Sequence, residues 1–236
     1  MRCLLHWSFT TLMILAFVSG NGSVALAQKK SVKPGINKSF ENPDPEAFVK
    51  RFERETRDVF EHRQEILKAC KLKPGTVMAD VGAGTGLFTR MFAKQVGPKG
   101  KVYAVDIAKT FLKHIEKTCQ KEGIKNVVSV LCSQKSVELP AQSVDVVFIC
   151  DTYHHFEFPY RTMASIHKAL RPGGQVILID FHRIKGKTKA WLMSHVRAGE
   201  EVFTAEIESC GFQKVERKDF LGENYFLRFL KTKKRS

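Results

Sequence analysis

The stretch Asp80-Val81-Gly82-Ala83-Gly84-Thr85-Gly86-Leu87-Phe88 decides the fold. It begins at the end of a short apolar run, residues 76–81. It ends in the first residues of a segment, Leu87–Val96, whose apolar residues have helical spacing. Three alternate glycines let the backbone turn tightly and approach a ligand closely. The start of the following helix favours a polar or anionic group. The stretch therefore predicts a strand, a ligand-binding turn and a helix.

The spacing of the glycines separates this turn from that of nicotinamide-dependent oxidoreductases. Their fingerprint is G-x-G-x-x-G, and its third glycine, counted from Gly82, would stand at Leu87. That class is therefore disfavoured. Asp106 ends the next apolar run, 20 residues after Gly86. A carboxylate at this place in a nucleotide-binding sheet accepts hydrogen bonds from ribose hydroxyls.

Strand and helix patterns alternate along the rest of the chain. The predicted strands are residues 76–81, 101–106, 127–131, 144–150, 175–180, 212–219 and 225–230. The predicted helices are residues 45–70, 87–96, 108–122, 160–170 and 200–210. Repeated strand-helix units predict an α/β fold with a doubly wound, mostly parallel seven-stranded sheet and helices on both faces. The last two strands are joined by a short turn and predict an antiparallel edge hairpin.

The chain divides into three predicted regions. Residues 1–27 combine Arg2, an apolar core at 7–18 and the small-x-small end Ala25-Leu26-Ala27, which is typical of a secretory signal peptide. Residues 28–45 are polar and predict a flexible linker, and residues 46–236 form the folded domain. The protein is thus expected to be exported or periplasmic, with an uncleaved membrane anchor as the alternative.

Composition restricts the partners only weakly. The 236 residues carry a formal net charge of +15, which suits either a solubilising surface or an anionic partner such as nucleic acid. The mixed charges at residues 51–63 are typical of a solvated helix face. Six cysteines occur without a C-x-x-C pair, which favours neither a disulfide framework nor a zinc site.

Four segments together resemble the class I S-adenosylmethionine-dependent methyltransferases. They are DVGAGTG (80–86), YAVDI (103–107), VDVVFICDTYHHF (144–156) and LRPGGQVILIDF (170–181). The chain is most similar to the small-molecule branch with the ubiquinone/menaquinone-type C-methyltransferases, over about residues 60–230.

The resemblance implies a set of residues around S-adenosylmethionine. Gly82, Ala83, Gly84 and Gly86 would shape its methionine side, and Asp80 would help to hold its amino group. Asp106 would hold the ribose, with Ile107 against the adenine. Many relatives carry an acidic residue just after the third strand, where this chain has Leu131-Cys132-Ser133-Gln134. Ser133 or Gln134 would then meet the adenine amino group through a side-chain oxygen.

Candidate catalytic residues follow the fourth strand. Ligands of doubly wound sheets bind at the carboxyl ends of the strands, and Asp151, His154 and His155 come there. A histidine at this place can act as a general base or orient the acceptor. Tyr153 and Phe156 are candidates for facing the sulfonium. No clear third ligand accompanies the histidine pair, so no metal site is predicted.

A second group of polar residues follows the fifth strand. It consists of His182, Arg183, His195 and Arg197. The insert that carries the last two is a candidate cover for the acceptor pocket.

The predicted function is transfer of a methyl group from S-adenosylmethionine to a small-molecule acceptor. One alternative is a methyltransferase acting on nucleic acid or protein, and another is a non-catalytic cofactor-binding module. The predicted partner is a small molecule. Nucleic acid is not indicated by a motif, membrane contact requires an uncleaved leader, and no oligomeric state is predicted.

Overall fold

The computed structural model describes residues 28–232, and the predicted signal peptide lies outside this range. One seven-stranded sheet organises these residues, in the order β3-β2-β1-β4-β5-β7-β6. The strands are β1 Val77–Val81, β2 Lys101–Asp106, β3 Val127–Leu131, β4 Val144–Cys150, β5 Leu170–Phe181, β6 Phe212–Lys218 and β7 Asn224–Lys231. Strands β1 to β5 pair in parallel, and β7 pairs antiparallel with both β5 and β6. The predicted fold class is confirmed.

Eight α-helices flank the sheet within the described residues. They are α1 Pro45–Phe52, α2 Asp58–Glu61, α3 Arg63–Ala69, α4 Leu87–Val96, α5 Lys109–Lys121, α6 Pro159–Ala169, α7 Ala190–His195 and α8 Glu200–Ser209. Strand β4 shows why both faces are covered. Val146 and Phe148 pack into one apolar core with α4, whereas Val147 and Ile149 pack into a second core with α6 and α8. A strand buried on both faces is a continuous apolar run.

The helix predicted over residues 45–70 is three helices instead. The chain leaves helical geometry between Phe52 and Asp58, and Asp58 explains the break. Its carboxylate accepts the backbone N–H groups of Gly222, Glu223 and Asn224 at 3.1, 2.8 and 3.1 Å. Asp58 thus connects the N-terminal segment to the turn before β7. The periodicity of residues 45–70 does not predict this contact.

The segment predicted as a flexible linker lies against the domain. Gln28 donates to the backbone carbonyl of Glu157, and the Gly35 N–H donates to the Glu157 carboxylate. The Lys33 ammonium donates to the carbonyl of His195 at 2.5 Å. These contacts are possible because a polar, glycine-containing chain can follow the irregular surface above the sheet. Residues 28–44 are therefore part of the folded unit.

Residues 171–174, which lie between the predicted helix 160–170 and the predicted strand 175–180, are part of β5. The register of β4 against β5 shifts between Val144 and Val146. The five cysteines within residues 28–232 are all unpaired. Between residues 28 and 232, no helix is long and apolar enough to cross a membrane.

Candidate active site

A cavity of about 520 Å³ opens at the carboxyl ends of the parallel strands. Its floor comes from the ends of β1, β2, β4 and β5. Its other walls come from the front of the chain and from the insert around α7. The residues lining it include Asn37, Phe40, Arg51, Phe52, Arg57, Asp80, Gly82, Ala83, Gly84, Asp106, Ile107, Phe111, Ser133, Gln134, Asp151, Thr152, His154, His155, Phe156, Phe181, Trp191 and His195.

All three glycines of the turn have a positive φ, and two of them also leave no room for a side chain. A Cβ on Gly82 would lie 2.3 Å from the Thr152 side chain, and one on Gly86 would lie 2.6 Å from Ile115. These two glycines permit close packing. A Cβ on Gly84 would meet nothing nearer than 3.9 Å. Gly84 has a φ of 53°, which favours glycine, and it leaves open space where the turn faces the cavity.

Two buried carboxylates lie beneath this turn. Asp106 accepts the backbone N–H groups of Gly84 and Ala108 at 2.9 and 2.8 Å, so it fixes the turn to the end of β2. Asp80 accepts the Thr89 hydroxyl at 2.6 Å. Burial raises the pKa of Asp80 to about 7 and the pKa of Asp106 to about 6. A cationic or hydrogen-bond-donating ligand would favour the ionised form of both groups.

The other predicted cofactor residues also lie at the cavity. Ala83 and Ile107 are half-buried in its wall. Ser133 and Gln134 are exposed at its rim. The Gln134 side-chain oxygen accepts a hydrogen bond from Asn37 at 2.8 Å. An adenine amino group would therefore share that oxygen with Asn37.

Asp151 lies in the cavity wall, but other side chains hold it. Its carboxylate pairs with the Arg57 guanidinium at 2.6 Å and accepts a hydrogen bond from the Asn224 amide at 2.6 Å. Burial raises the pKa of Asp151, and the charge of Arg57 opposes that rise. Its φ of 48° is unusual for a residue other than glycine. These contacts favour a role in positioning the loop after β4.

His154 and His155 lie on a short 3₁₀ helix, Tyr153–His155, in the cavity wall. His154 is 2% exposed, and its Nδ1 lies 2.8 Å from Oδ1 of the fully buried Asp180. Asp180 also accepts the backbone N–H of His154 at 3.1 Å. Since a carboxylate accepts hydrogen bonds, Nδ1 carries the proton and Nε2 of the neutral ring keeps its lone pair. Such a pair resembles an oriented general base.

His195 joins this pair from the insert after β5. Its Nε2 lies 3.3 Å from Nε2 of His155. Burial lowers the pKa of His155 to about 2 and that of His195 to about 4, and the neighbouring His154 lowers both further. The insert therefore contributes to the cavity wall, through His195 and Trp191.

Three other candidates serve packing. Tyr153 is fully buried and its hydroxyl donates to Glu206 at 3.1 Å, so it does not face the cavity. Arg197 forms a salt bridge with the same Glu206. The ring of His182 packs edge-on against Tyr225.

The sequence reasoning missed the contribution of the front of the chain. Residues 51–63 were interpreted as a solvated helix face, yet Arg51 and Arg57 line the cavity. Asn37 contacts both Gln134 and the backbone carbonyl of His155. No local pattern marks Asn37. Arg57 lies within residues 45–70, which the sequence predicts as one helix, so no local pattern marks it either.

Comparison with known proteins shows what part of the chain is similar to. A family model described as "Methyltransferase domain" matches residues 79–178. These residues are similar to class I S-adenosylmethionine-dependent methyltransferases, so the predicted resemblance is confirmed. The similarity supports methyltransferase activity with S-adenosylmethionine as the cofactor.

Curated relatives match only part of this chain. The ubiquinone/menaquinone biosynthesis C-methyltransferase UbiE of Bordetella parapertussis is 28% identical over 113 residues. That match covers 48% of this chain and 43% of the relative. The chain therefore spans less than half the length of this relative.

Solved structures support the fold of the methyltransferase domain. A SAM-dependent methyltransferase from Aquifex aeolicus superposes with a TM-score of 0.72 at 23% identity, covering 80% of this chain and all of that one. Phosphoethanolamine N-methyltransferase 2 of Haemonchus contortus, in complex with S-adenosyl-L-methionine, superposes with a TM-score of 0.63 at 18% identity. It covers 81% of this chain and 60% of that one.

The site of the methyltransferase domain fits this cofactor on its own geometry. The space beside Gly84 admits a ligand against bare backbone. Asp106 keeps acceptor capacity beyond its backbone contacts, since a carboxylate offers about four acceptor positions. Asp80 supplies a negative charge close to the turn, which suits the positive charges of S-adenosylmethionine.

Proposed function

We propose that the protein transfers the methyl group of S-adenosylmethionine to a small-molecule acceptor bound in the same cavity. One observation supports this proposal: the predicted cofactor residues and the histidines after β4 line the same cavity. The cofactor residues are the glycine turn, Asp80 and Asp106. Its volume of about 520 Å³ falls in the range of pockets that hold small molecules.

The chain's own residues would bind and orient the reactants. S-adenosylmethionine supplies an electrophilic methyl group on a sulfonium. Because methyl transfer is a direct displacement, most of the acceleration comes from holding the acceptor close and aligned. Asp180 orients His154 through Nδ1, so Nε2 of the neutral ring would be the atom that takes a proton from the acceptor.

The enclosure of the cavity favours a small acceptor over nucleic acid. Phe40 and Arg57 bound the cavity on one side, and Trp191 and His195 on another. A macromolecular substrate would have to insert a single base or side chain between these walls. The net charge of +15 is what supports the nucleic-acid alternative.

Radiolabelled methyl transfer tests the proposed function. The purified protein is incubated with methyl-labelled S-adenosylmethionine and with separate small-molecule, nucleic-acid and protein fractions. Label is expected in the small-molecule fraction. Label in nucleic acid or protein alone would select the alternative substrates. Tight cofactor binding without transfer to any fraction would select the non-catalytic module.

Asp106→Ala is expected to weaken S-adenosylmethionine binding by about 1.5–3 kcal/mol, because a buried carboxylate that accepts ligand hydroxyls is lost. Calorimetry on the folded variant measures the effect. Asp219→Ala is the matched control, since its carboxylate is exposed and lies outside the cavity lining. Equal affinities of the two variants would contradict a ribose contact at Asp106.

Cofactor affinity should increase with pH. In the free protein the pKa of Asp80 is about 7 and that of Asp106 about 6, whereas the bound cofactor requires their ionised forms. Below these pKa values, affinity should fall by roughly tenfold per pH unit for each carboxylate that must lose a proton. Calorimetry between pH 5 and 8, in buffers of different ionisation enthalpy, should show proton release on binding. A dissociation constant that is independent of pH would contradict this coupling.

We further propose that the protein is exported and processed after Ala27. Mass spectrometry of the native protein should then show a chain that begins at Gln28. An intact chain in the membrane fraction would favour the uncleaved anchor.

A further inference from the structure

Three histidines from two separate segments meet at the cavity wall. His154 and His155 come from the 3₁₀ helix after β4, and His195 ends α7. One ring nitrogen of each lies within 4.8 Å of the others. The ring centroids are 4.4 to 5.1 Å apart. Imidazole is a common ligand of zinc and related divalent metals.

We propose that His154, His155 and His195 bind one divalent transition-metal ion, of which zinc is the representative. Three histidines with an open fourth position form one of the ligand sets of catalytic zinc. The histidines line the same cavity as the glycine turn, so the fourth position would face bound ligands.

The observed spacing agrees with tetrahedral coordination. Zinc–nitrogen bonds of about 2.0–2.1 Å place two tetrahedral ligand nitrogens about 3.3–3.4 Å apart. Nε2 of His155 and Nε2 of His195 are 3.3 Å apart. A ring nitrogen of His154 lies within 4.8 Å of the other two, so this ring would have to move closer to them to complete the triangle.

Hydrogen bonds to the other ring nitrogens orient two of the ligands. Nδ1 of His154 donates to Asp180 at 2.8 Å, and Nδ1 of His155 lies 3.1 Å from Oδ1 of Asn37. The orientation of the Asn37 amide is fixed because its nitrogen donates to Gln134 and to the His155 carbonyl. Both rings therefore direct an unprotonated Nε2 into the cluster. Metal-binding histidines are commonly held in this way.

The electrostatic surroundings also suit a bound cation. The carboxylate of Asp180 supplies a negative charge directly behind His154.

The open fourth coordination position of the metal ion indicates which class of acceptor the site would bind. A thiol or hydroxyl that coordinates a divalent ion loses its proton more readily, so the ion would serve the role otherwise given to a base. This last step rests on the proposed function, whereas metal binding itself does not. The acceptor class is then a small molecule with a coordinating thiol or hydroxyl group.

Zinc titration of the untagged, chelator-stripped protein tests the site. Calorimetry with zinc chloride should give one ion per chain. His195→Ala should weaken binding at least 100-fold. Asn37→Ala, which removes the hydrogen-bond partner of His155 but no metal ligand, should weaken it by about 10–100-fold. His182→Ala is the control with a histidine outside the cluster, and it should bind zinc as the unaltered protein does. Circular dichroism verifies that each variant is folded.

Two further measurements make the outcome decisive. Cobalt(II) in place of zinc should give the visible absorption of a four-coordinate site, and His195→Ala should abolish it. Absence of zinc binding by the unaltered protein, or equal binding by His195→Ala, would overturn the metal site and leave a hydrogen-bonded histidine cluster. S-adenosylmethionine affinity is measured on the same samples, so a failed cofactor site is distinguished from a failed metal site.

Discussion

Replacing His154 by alanine is expected to lower the rate of methyl transfer by roughly 10²–10⁴-fold. The ring is 2% exposed and its Nδ1 is held by Asp180, so its Nε2 has a defined position at the cavity. Loss of the ring removes either an oriented base or a metal ligand. Affinity for S-adenosylmethionine should change little, because His154 lies outside the glycine turn. Initial rates with labelled cofactor and calorimetry measure the two effects separately.

A matched variant separates this effect from a general disturbance of the fold. His182 follows the neighbouring strand β5 but packs against Tyr225, away from the cavity lining. His182→Ala should keep most of the activity. Full turnover by His154→Ala would show that the reaction needs neither a base nor a metal ligand at this position. The chemistry would then depend on alignment of the reactants alone.

The sheet could be predicted closely because its signals are local. Strand β4 is a continuous apolar run ending at Cys150, and the turn around Gly84 follows directly after β1. Each feature depends on residues adjacent in sequence. The antiparallel edge was predictable for the same reason, since β6 and β7 are separated by a short turn.

The walls of the site could not be predicted because their contacts join distant segments. Asn37 contacts His155 across 118 residues, and Arg57 reaches Asp151 across 94 residues. Nothing in the local pattern of residues 28–57 distinguishes these contacts from a solvated surface. The position of the third histidine, His195, could not be predicted for the same reason. His195 is 40 residues from His155, and only the fold brings the insert over the carboxyl end of β4.

The resemblance to methyltransferases concerns the cofactor side of the cavity, and the structure adds the acceptor side. The resemblance indicates the cofactor, and Asp80, Gly84 and Asp106 are its predicted binding residues. The acceptor side combines His154 and His155 with segments outside the matched residues 79–178, including Asn37, Arg57 and His195. Acceptor choice would therefore depend in part on residues that the family model does not cover.

Arg197→Met is expected to destabilise the folded protein by about 3–5 kcal/mol. The Arg197 guanidinium binds both carboxylate oxygens of Glu206, at 2.8 and 2.5 Å, and both side chains are 9% exposed. Removing the cation leaves a buried carboxylate whose remaining side-chain donor is the Tyr153 hydroxyl. Chemical denaturation followed by circular dichroism measures the free energy of unfolding.

Arg217→Met is the matched control for this prediction. Arg217 pairs with Glu200 and Asp219, but its side chain is 36% exposed, and exposed pairs contribute about 0–1 kcal/mol. A similar loss of stability in both variants would show that burial of the Arg197–Glu206 pair is not what matters. Arg197 stands two residues after His195, and Arg183 donates to the Val196 carbonyl between them at 3.0 Å. The buried pair therefore anchors the insert, and its loss should also weaken zinc binding by displacing His195.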